Sequence, residues 1–138
     1  MHQIAHSIDT HATPAAARAA INTAAGIQSW WSLDSDIDES GAGANHELRF
    51  QKGDREVTMR FRVDVDDPER VRWICTENGN PVWVDTTLEW RFEDGRVAFV
   101  HAGFRENKSP PYMMTEQGWG AFIDSLAKVL AGEAGSPI

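Results

Sequence analysis

Strict alternation of apolar and polar side chains over residues 56–66 is the feature that most constrains the fold. Every second side chain is apolar, namely Val57, Met59, Phe61, Val63 and Val65. Successive side chains of a β-strand point to opposite faces of a sheet, so this pattern predicts a strand with one buried and one exposed face. An antiparallel sheet of this kind must cover its apolar face with another element.

Further strands are predicted on both sides of this segment, at residues 2–10, 47–50, 70–76, 82–92 and 96–104. They are separated by sequences that favour chain reversal, such as Gly53-Asp54, Asn78-Gly79 and Asp94-Gly95. Residues 33–44, acidic at first and glycine-rich at the end, are interpreted as a loop. In residues 82–92 one face carries Val84, Thr86, Leu88, Trp90 and Phe92.

Two short helices are predicted after the first strand, and one long helix at the end of the chain. Thr13-Pro14 starts the first, because threonine is a good N-cap and proline fits the first helical position. The second covers residues 24–31, with a weak point at Gly26. The last starts near Ser109-Pro110 and carries an apolar stripe with helical spacing, formed by Thr115, Trp119, Phe122, Ile123, Leu126, Val129 and Leu130.

These elements predict an α+β fold in which a curved antiparallel sheet wraps around the long C-terminal helix. The last helix is the only predicted element long enough to cover the sheet. We expect a single domain over residues 1–138, with a core from about residue 4 to residue 132. A sheet wrapped around one helix often leaves a space between them, and such spaces bind ligands.

The charge of the chain disfavours several classes of partner. Its 13 basic and 21 acidic residues give a net charge of −8, which argues against nucleic acid and against anionic membrane surfaces. No apolar run approaches the ~18 residues of a membrane span, and the N-terminus lacks the features of a signal peptide. We therefore expect a cytoplasmic protein. Cys75, the only cysteine, permits no disulfide within the chain and is interpreted as a small buried hydrophobe.

No metal site and no cofactor are predicted. The three histidines of residues 2–11 lie close in sequence, but zinc sites need more ligands and tighter geometry. The acidic segment 34–38 superficially resembles the start of a calcium loop. Glu39 stands where that loop requires glycine, and Asn45 stands where it requires a bidentate glutamate. We interpret this segment as solvated acidic loop.

Five segments occur in an order and spacing typical of one known superfamily. They are Thr13-Pro14-Ala15, Trp30-Trp31, Trp83-x-x-Thr86-Thr87-Leu88-x-Trp90-x-Phe92, His101-Ala102-Gly103-Phe104, and Gly118-Trp119 with Leu126 seven residues on. From about Ile4 to Gly132 the chain resembles the SRPBCC (START-like) superfamily, in particular its branch named after the activator of the heat-shock-protein ATPase. The resemblance implies a helix-grip fold with a cavity for apolar or amphipathic small molecules. It implies no single activity, since the superfamily includes lipid carriers, hormone receptors and polyketide cyclases.

Six tryptophans in 138 residues indicate either a bulky core or an aromatic cavity. For each ring taken singly, core packing is the simpler interpretation. As a set they predict a ligand pocket lined by Trp31, Phe61, Trp73, Thr86, Trp90, His101, Trp119 and Phe122. The inward faces of residues 56–66 and 82–92 offer only Thr86 as a polar group, which favours binding over acid–base chemistry.

The predicted function is binding of a small hydrophobic or amphipathic molecule between the sheet and the C-terminal helix. One alternative is a small enzyme of the polyketide cyclase or hydrolase kind, with His101 as acid or base beside His6 or Thr86. Against it stands the interpretation of His101 as a structural histidine, hydrogen-bonded inside the core. A further alternative is a co-chaperone-like interaction module, which the outward charges of Arg60 and Arg62 argue against. Homodimer formation through an edge strand stays open.

Overall fold

The computed structural model describes residues 1–138, apart from the side chain of Lys52. Its elements follow the order β1 (His2–Asp9), α1 (Pro14–Asn22), α2 (Ala24–Trp30), β2 (Asp34–Ile37), β3 (Asn45–Lys52), β4 (Arg55–Asp66), β5 (Arg70–Asn78), β6 (Thr87–Glu93), β7 (Arg96–Phe104) and α3 (Pro110–Leu130). A 3₁₀ turn, Pro81–Trp83, lies between β5 and β6.

The strands form one antiparallel sheet in the order β1-β7-β6-β5-β4-β3-β2. Strands β2 to β7 follow one another as a meander, and β1 returns to lie beside β7. Two irregularities in register interrupt the pairing of β4 with β5, one before Phe61 and one before Val65. Such irregularities bend a strand and increase its twist. The sheet curves around α3, which confirms the predicted helix-grip fold.

The helices begin where the sequence predicts them. Thr13 accepts a hydrogen bond from the N–H of Ala16 at 3.1 Å, and Pro14 follows as the first helical residue. Thr23 ends α1 and caps α2 in the same way, accepting from the N–H of Gly26 at 3.0 Å. Because one residue joins the two helices, their backbones pack very closely. A Cβ atom on Gly26 would lie 2.1 Å from the carbonyl oxygen of Ala19, so this approach requires glycine.

Part of the segment predicted as a loop is an edge strand. Residues 34–37 pair with β3, and Arg49 of β3 forms ion pairs with Asp34 at 2.9 Å and with Asp36 at 3.0 Å. The Arg49 guanidinium lowers the pKa of the Asp34 carboxyl. This strand was not predicted because aspartate has a low propensity for strands. In the folded protein Arg49 on the neighbouring strand offsets the negative charge of these residues.

The strand predicted over residues 82–92 begins only at Thr87. Asn80 caps the 3₁₀ turn by accepting from the N–H of Val82 at 3.2 Å, and Pro81 fits the first position of that turn. Asp85 then has a φ of 66°, a left-handed conformation that a strand does not allow. The apolar alternation therefore continues through residues that do not belong to a strand.

The inward face of the sheet packs against α1, α2 and α3, and the buried hydrophobic side chains form a continuous cluster. The outward face carries ion pairs, such as those of Arg60 with Glu47 and Glu77, and of Arg72 with Asp64. These pairs are exposed, so each contributes little to the free energy of folding. None of the described helices is both long and apolar enough to cross a membrane.

Candidate ligand-binding site

Most of the side chains predicted to line a pocket pack against one another. Trp31 stacks on Trp73 with ring centroids 6.4 Å apart, and its ring centroid is 5.2 Å from that of Trp119. Trp90 meets Trp73 edge to face at 5.0 Å. Phe61 lies in the same cluster, 5.4 Å from Trp73. All five residues have fully buried side chains, so their rings fill the space that they were predicted to surround.

His101 lies in this interior and both of its ring nitrogens have partners. The indole N–H of Trp119 donates to Nδ1 at 2.9 Å, so the ring proton must sit on Nε2. Nε2 lies 2.7 Å from Oγ1 of Thr86, and the Thr86 hydroxyl donates to the carbonyl of Trp83. Burial lowers the pKa of His101 from 6.5 to about 3, so the ring is neutral.

This arrangement supports a structural interpretation of His101. The neutral ring joins β7 to α3 and to the segment that precedes β6, and no nitrogen is left free for a substrate. Thr86 supplies the neighbouring polar group. His6 is only half-buried on β1, in register with Phe99 of β7.

A cavity of about 400 Å³ lies at the rim of the aromatic cluster. Its walls come from the β3–β4 hairpin, the end of β5, the 3₁₀ turn and the N-terminal half of α3. The apolar side chains of the lining include Phe50, Val57, Met59, Trp83, Met114 and Phe122, and the C-terminal Ile138 also borders the cavity. Its volume lies within the range of small-molecule sites. Phe122 is the one predicted pocket residue that lines it; the other seven do not.

Hydrogen bonds hold the wall that the 3₁₀ turn provides. The indole N–H of Trp83 donates to Oγ1 of Thr115 on α3 at 2.8 Å. The side-chain amide of Asn80 donates to the same oxygen at 3.3 Å and to the carbonyl of Pro111 at 3.2 Å. The Thr115 hydroxyl in turn donates to the carbonyl of Pro111 at 2.9 Å. The turn is therefore tied to the first half of α3, and Trp83 faces inward as part of the wall.

Sequence reasoning missed most of this wall because residues 78–81 were interpreted only as a turn. The available signal was the placement of Trp83 two residues after that turn, together with Gly118 on α3. Gly118 lines the cavity, four residues from Phe122 and on the same side of the helix. A glycine there leaves the space that a larger side chain would fill.

The fold and its rim cavity define the class as a START-like helix-grip protein. No protein-family model matches the sequence, and no curated protein matches it. Several solved structures, however, are similar to the chain in fold. The chain is similar to Aha1 from Colwellia psychrerythraea, solved as a dimer, with 25% identity, 94% of this chain and 96% of that chain covered, and a TM-score of 0.79.

Two other solved structures have the same fold. The AHSA1 protein from Silicibacter pomeroyi is 16% identical, with 94% of this chain and 97% of that chain covered and a TM-score of 0.74. DynU16, from the dynemicin biosynthetic locus, is 16% identical over 96% of this chain and 48% of that chain, with a TM-score of 0.72. The similarity to Aha1 supports the resemblance to the SRPBCC superfamily and its Aha1-like branch, and the other two structures share the same fold.

Proposed function

We propose that the protein binds a small apolar or amphipathic molecule in the cavity between the β3–β4 hairpin, the 3₁₀ turn and α3. The observation that carries this proposal is the cavity itself, about 400 Å³ with a largely apolar wall. Apolar surface that a ligand covers is removed from water, and this drives binding. The charged side chains among the lining residues, Arg55 and Glu56, are exposed at the hairpin.

Binding is favoured over acid–base chemistry by the placement of the titratable groups. The enzymatic alternative needs His101 in contact with the bound molecule. His101 is buried behind Trp83 and Trp119, is hydrogen-bonded at both nitrogens and does not line the cavity. His101 would therefore not touch a molecule bound in the cavity. A cyclase or hydrolase needs its acid or base in contact with the substrate.

A substitution on α3 tests the proposal by filling the cavity without disturbing the core. A Cβ atom on Gly118 would meet only the ring of Phe122, at an ordinary contact distance of 3.8 Å. We expect Gly118→Leu to place its side chain in the cavity and to retain the fold, because replacing a helical glycine favours the helix. The matched control is Gly120→Leu, two residues along the same helix, where a Cβ atom meets nothing within 4 Å.

The probe is N-phenyl-1-naphthylamine, an uncharged dye whose fluorescence rises in apolar sites. The wild-type protein and Gly120→Leu are expected to bind it saturably at one site, whereas Gly118→Leu loses at least ~10-fold in affinity. Circular dichroism and urea unfolding establish that both variants are folded. A wild-type protein that gives no saturable signal, or a Gly118→Leu variant that binds as well as the control, would refute binding in this cavity.

A further inference from the structure

Residues 133–138, which follow α3, form a strap that reaches the segment between α2 and β2. The N–H of Ile138 donates to the carbonyl of Trp31 at 3.0 Å, and the carbonyl of Ile138 accepts the N–H of Leu33 at 3.4 Å. The Ile138 side chain borders the cavity and is 48% exposed. Two backbone hydrogen bonds, rather than deep burial, therefore hold Ile138 in its place beside the cavity.

A tight glycine contact holds the middle of the strap. A Cβ atom on Gly135 would lie 2.4 Å from the carbonyl oxygen of Ser29 on α2 and 2.8 Å from Cγ2 of Val129 on α3. The N–H of Ser136 donates to Oγ of Ser125 on α3 at 2.7 Å. None of the described strap residues belongs to the buried hydrophobic cluster. A segment with so few buried apolar contacts opens at a low cost in free energy while the core stays folded.

The side chain of Ile138 lies between the cavity and a second hollow beside it. The second hollow has a volume of about 180 Å³, and its walls include Leu33 and Gln51. Phe50, Glu56 and Ile138 border both spaces. Phe50 and Glu56 belong to the paired strands β3 and β4, so they stay in place, whereas Ile138 belongs to the strap. Ile138 is therefore the part of this partition that moves with the strap.

The affinity for an apolar chain depends on the number of methylenes that the chain buries, and it increases about 4-fold with each. In the cavity this gain ends where the chain meets Ile138. Beyond Ile138 the second hollow offers further apolar wall from Leu33 and Phe50. A longer chain reaches that wall only when the side chain of Ile138 is out of the way.

We propose that the strap limits the length of the molecule that the protein binds, with Ile138 as the residue that determines this specificity. The inference rests on the proposed function and concerns the regulation of the same site. With the strap attached, the cavity binds short apolar chains. With the strap detached, the cavity and the second hollow form one longer site.

A series of unbranched primary alcohols, from 1-hexanol to 1-dodecanol, measures this limit. Each alcohol is titrated against the complex of the wild-type protein with N-phenyl-1-naphthylamine, and its affinity follows from the displacement of the dye. The affinity is expected to increase about 4-fold per methylene up to a limiting length. Beyond that length it is expected to stay constant, because the added methylenes remain in water.

Two variants change the partition in different ways. Ile138→Ala removes most of the side chain and leaves both backbone hydrogen bonds in place, whereas Gly135→Ala detaches the strap because its Cβ atom meets the backbone oxygen of Ser29. In both variants the limiting length is expected to increase by about two methylenes, so the longest alcohols bind at least ~10-fold more tightly than to the wild-type protein. The matched control is Ala134→Ser, which adds one atom at an exposed position of the strap and should keep the wild-type limit.

Hydrogen exchange establishes that Gly135→Ala acts through the strap. The amides of Leu33 and Ile138, which form the two backbone hydrogen bonds, are expected to exchange at least ~10-fold faster than in the wild-type protein. The amides of β6 and β7 are expected to keep their rates, which shows that the core is folded. Unchanged exchange at Leu33 and Ile138 would overturn the anchoring of the strap by Gly135.

The limiting length decides the proposal. The same limit in the wild-type protein, Ile138→Ala and Gly135→Ala, or no limit in the wild-type protein, would overturn the role of the strap while leaving dye binding, and so the proposed function, intact. A limit that increases as much in Ala134→Ser as in Gly135→Ala would overturn the assigned contact. Absence of dye binding would instead contradict the proposed function itself.

Discussion

The indole N–H of Trp119 donates to Nδ1 of His101 across 2.9 Å, linking α3 to β7 inside the core. This bond determines the tautomer of the histidine, because it leaves Nε2 as the protonated nitrogen. Nε2 lies 2.7 Å from Thr86, whose hydroxyl donates to a backbone carbonyl. Every polar hydrogen in this chain of bonds has an acceptor, which a buried polar network requires. A second proton on the ring would have no acceptor and would place a charge in the interior.

Stability is therefore expected to fall as the pH drops below 6.5. Burial lowers the pKa of His101 from its ordinary 6.5 to about 3. Between these values the unfolded chain binds a proton that the folded chain does not, so the free energy of unfolding decreases with falling pH. The contribution of the neutral His101 ring to the free energy of unfolding is fully present above pH 6.5. As the pH falls from 6.5 to about 3, this contribution decreases by up to about 1.4 kcal/mol per pH unit. His101 alone is expected to account for a loss of about 2 kcal/mol between pH 7 and pH 5, measured by urea unfolding.

The variant His101→Gln assigns this loss to the buried ring. Glutamine retains a donor and an acceptor but binds no proton in this range, so the variant is expected to lose less stability between pH 7 and pH 5. Burial also lowers the pKa of His46, and this effect is common to both proteins and cancels in the comparison. His2→Gln, at an exposed position, should keep the full dependence. An identical pH dependence in His101→Gln and the wild-type protein would contradict the buried neutral state.

The contact between α1 and α2 predicts opposite effects for the same substitution at two helical glycines. A Cβ atom on Gly26 would lie 2.1 Å from the carbonyl oxygen of Ala19 and 2.7 Å from the Cα atom of Ala20. These are backbone atoms, so the helices must move apart, and Gly26→Ala is expected to cost about 2 kcal/mol or more. Gly120→Ala meets no atom and is expected to stabilise α3 by up to about 1 kcal/mol. Urea unfolding of both variants measures the difference, and equal effects would contradict the close packing.

Periodic patterns predicted most of the fold because they report local geometry. The alternation at Val57, Met59 and Phe61 depends only on which face of β4 is buried, and the structure confirms it. The stripe that includes Trp119 and Ile123 depends only on the helical repeat of α3. Such signals do not require knowledge of the neighbouring elements.

The position of the cavity could not be predicted in this way, because it depends on how side chains from different elements fill space. Trp31 and Trp73 come from distant parts of the chain, and their stacking at 6.4 Å removes the space that each was expected to line. Phe122 lies at the edge of that cluster and so borders the cavity that was left. The left-handed conformation of Asp85, two residues after Trp83, also leaves no periodic signal.

The thiol of Cys75 is expected to be unreactive in the folded protein. Burial raises the pKa of Cys75 to about 12, so almost none of it is thiolate at pH 8. Modification by 5,5′-dithiobis(2-nitrobenzoate) should proceed only as fast as the chain opens, and urea should accelerate it in parallel with unfolding. Complete modification within the mixing time under native conditions would show that Cys75 is accessible.

The link between Trp83 and Thr115 predicts a large cost for removing one oxygen atom. Thr115→Val keeps the shape of the side chain but deletes the acceptor of the indole N–H, which lies 2.8 Å away in a buried site. The unpaired donor is expected to cost about 2 kcal/mol in the free energy of unfolding. The control is Thr76→Val, whose hydroxyl donates to the carbonyl of Arg60 at 3.2 Å but is exposed, so water replaces the lost bond.

Hydrogen exchange distinguishes this loss from a general destabilisation of the core. The hydroxyl of Thr115 also accepts from Asn80, so its removal frees the 3₁₀ turn from α3. In Thr115→Val, the amides of residues 80–86 are therefore expected to exchange faster than the decrease in the free energy of unfolding explains. The exchange rates of the amides in β6 and β7 are expected to change only as much as that decrease predicts. Since Trp83 and Thr115 both line the cavity, dye affinity should fall with this loosening. If Thr115→Val is as stable as Thr76→Val and amide exchange in the 3₁₀ turn is unchanged, the bond between Trp83 and Thr115 does not hold this wall of the cavity.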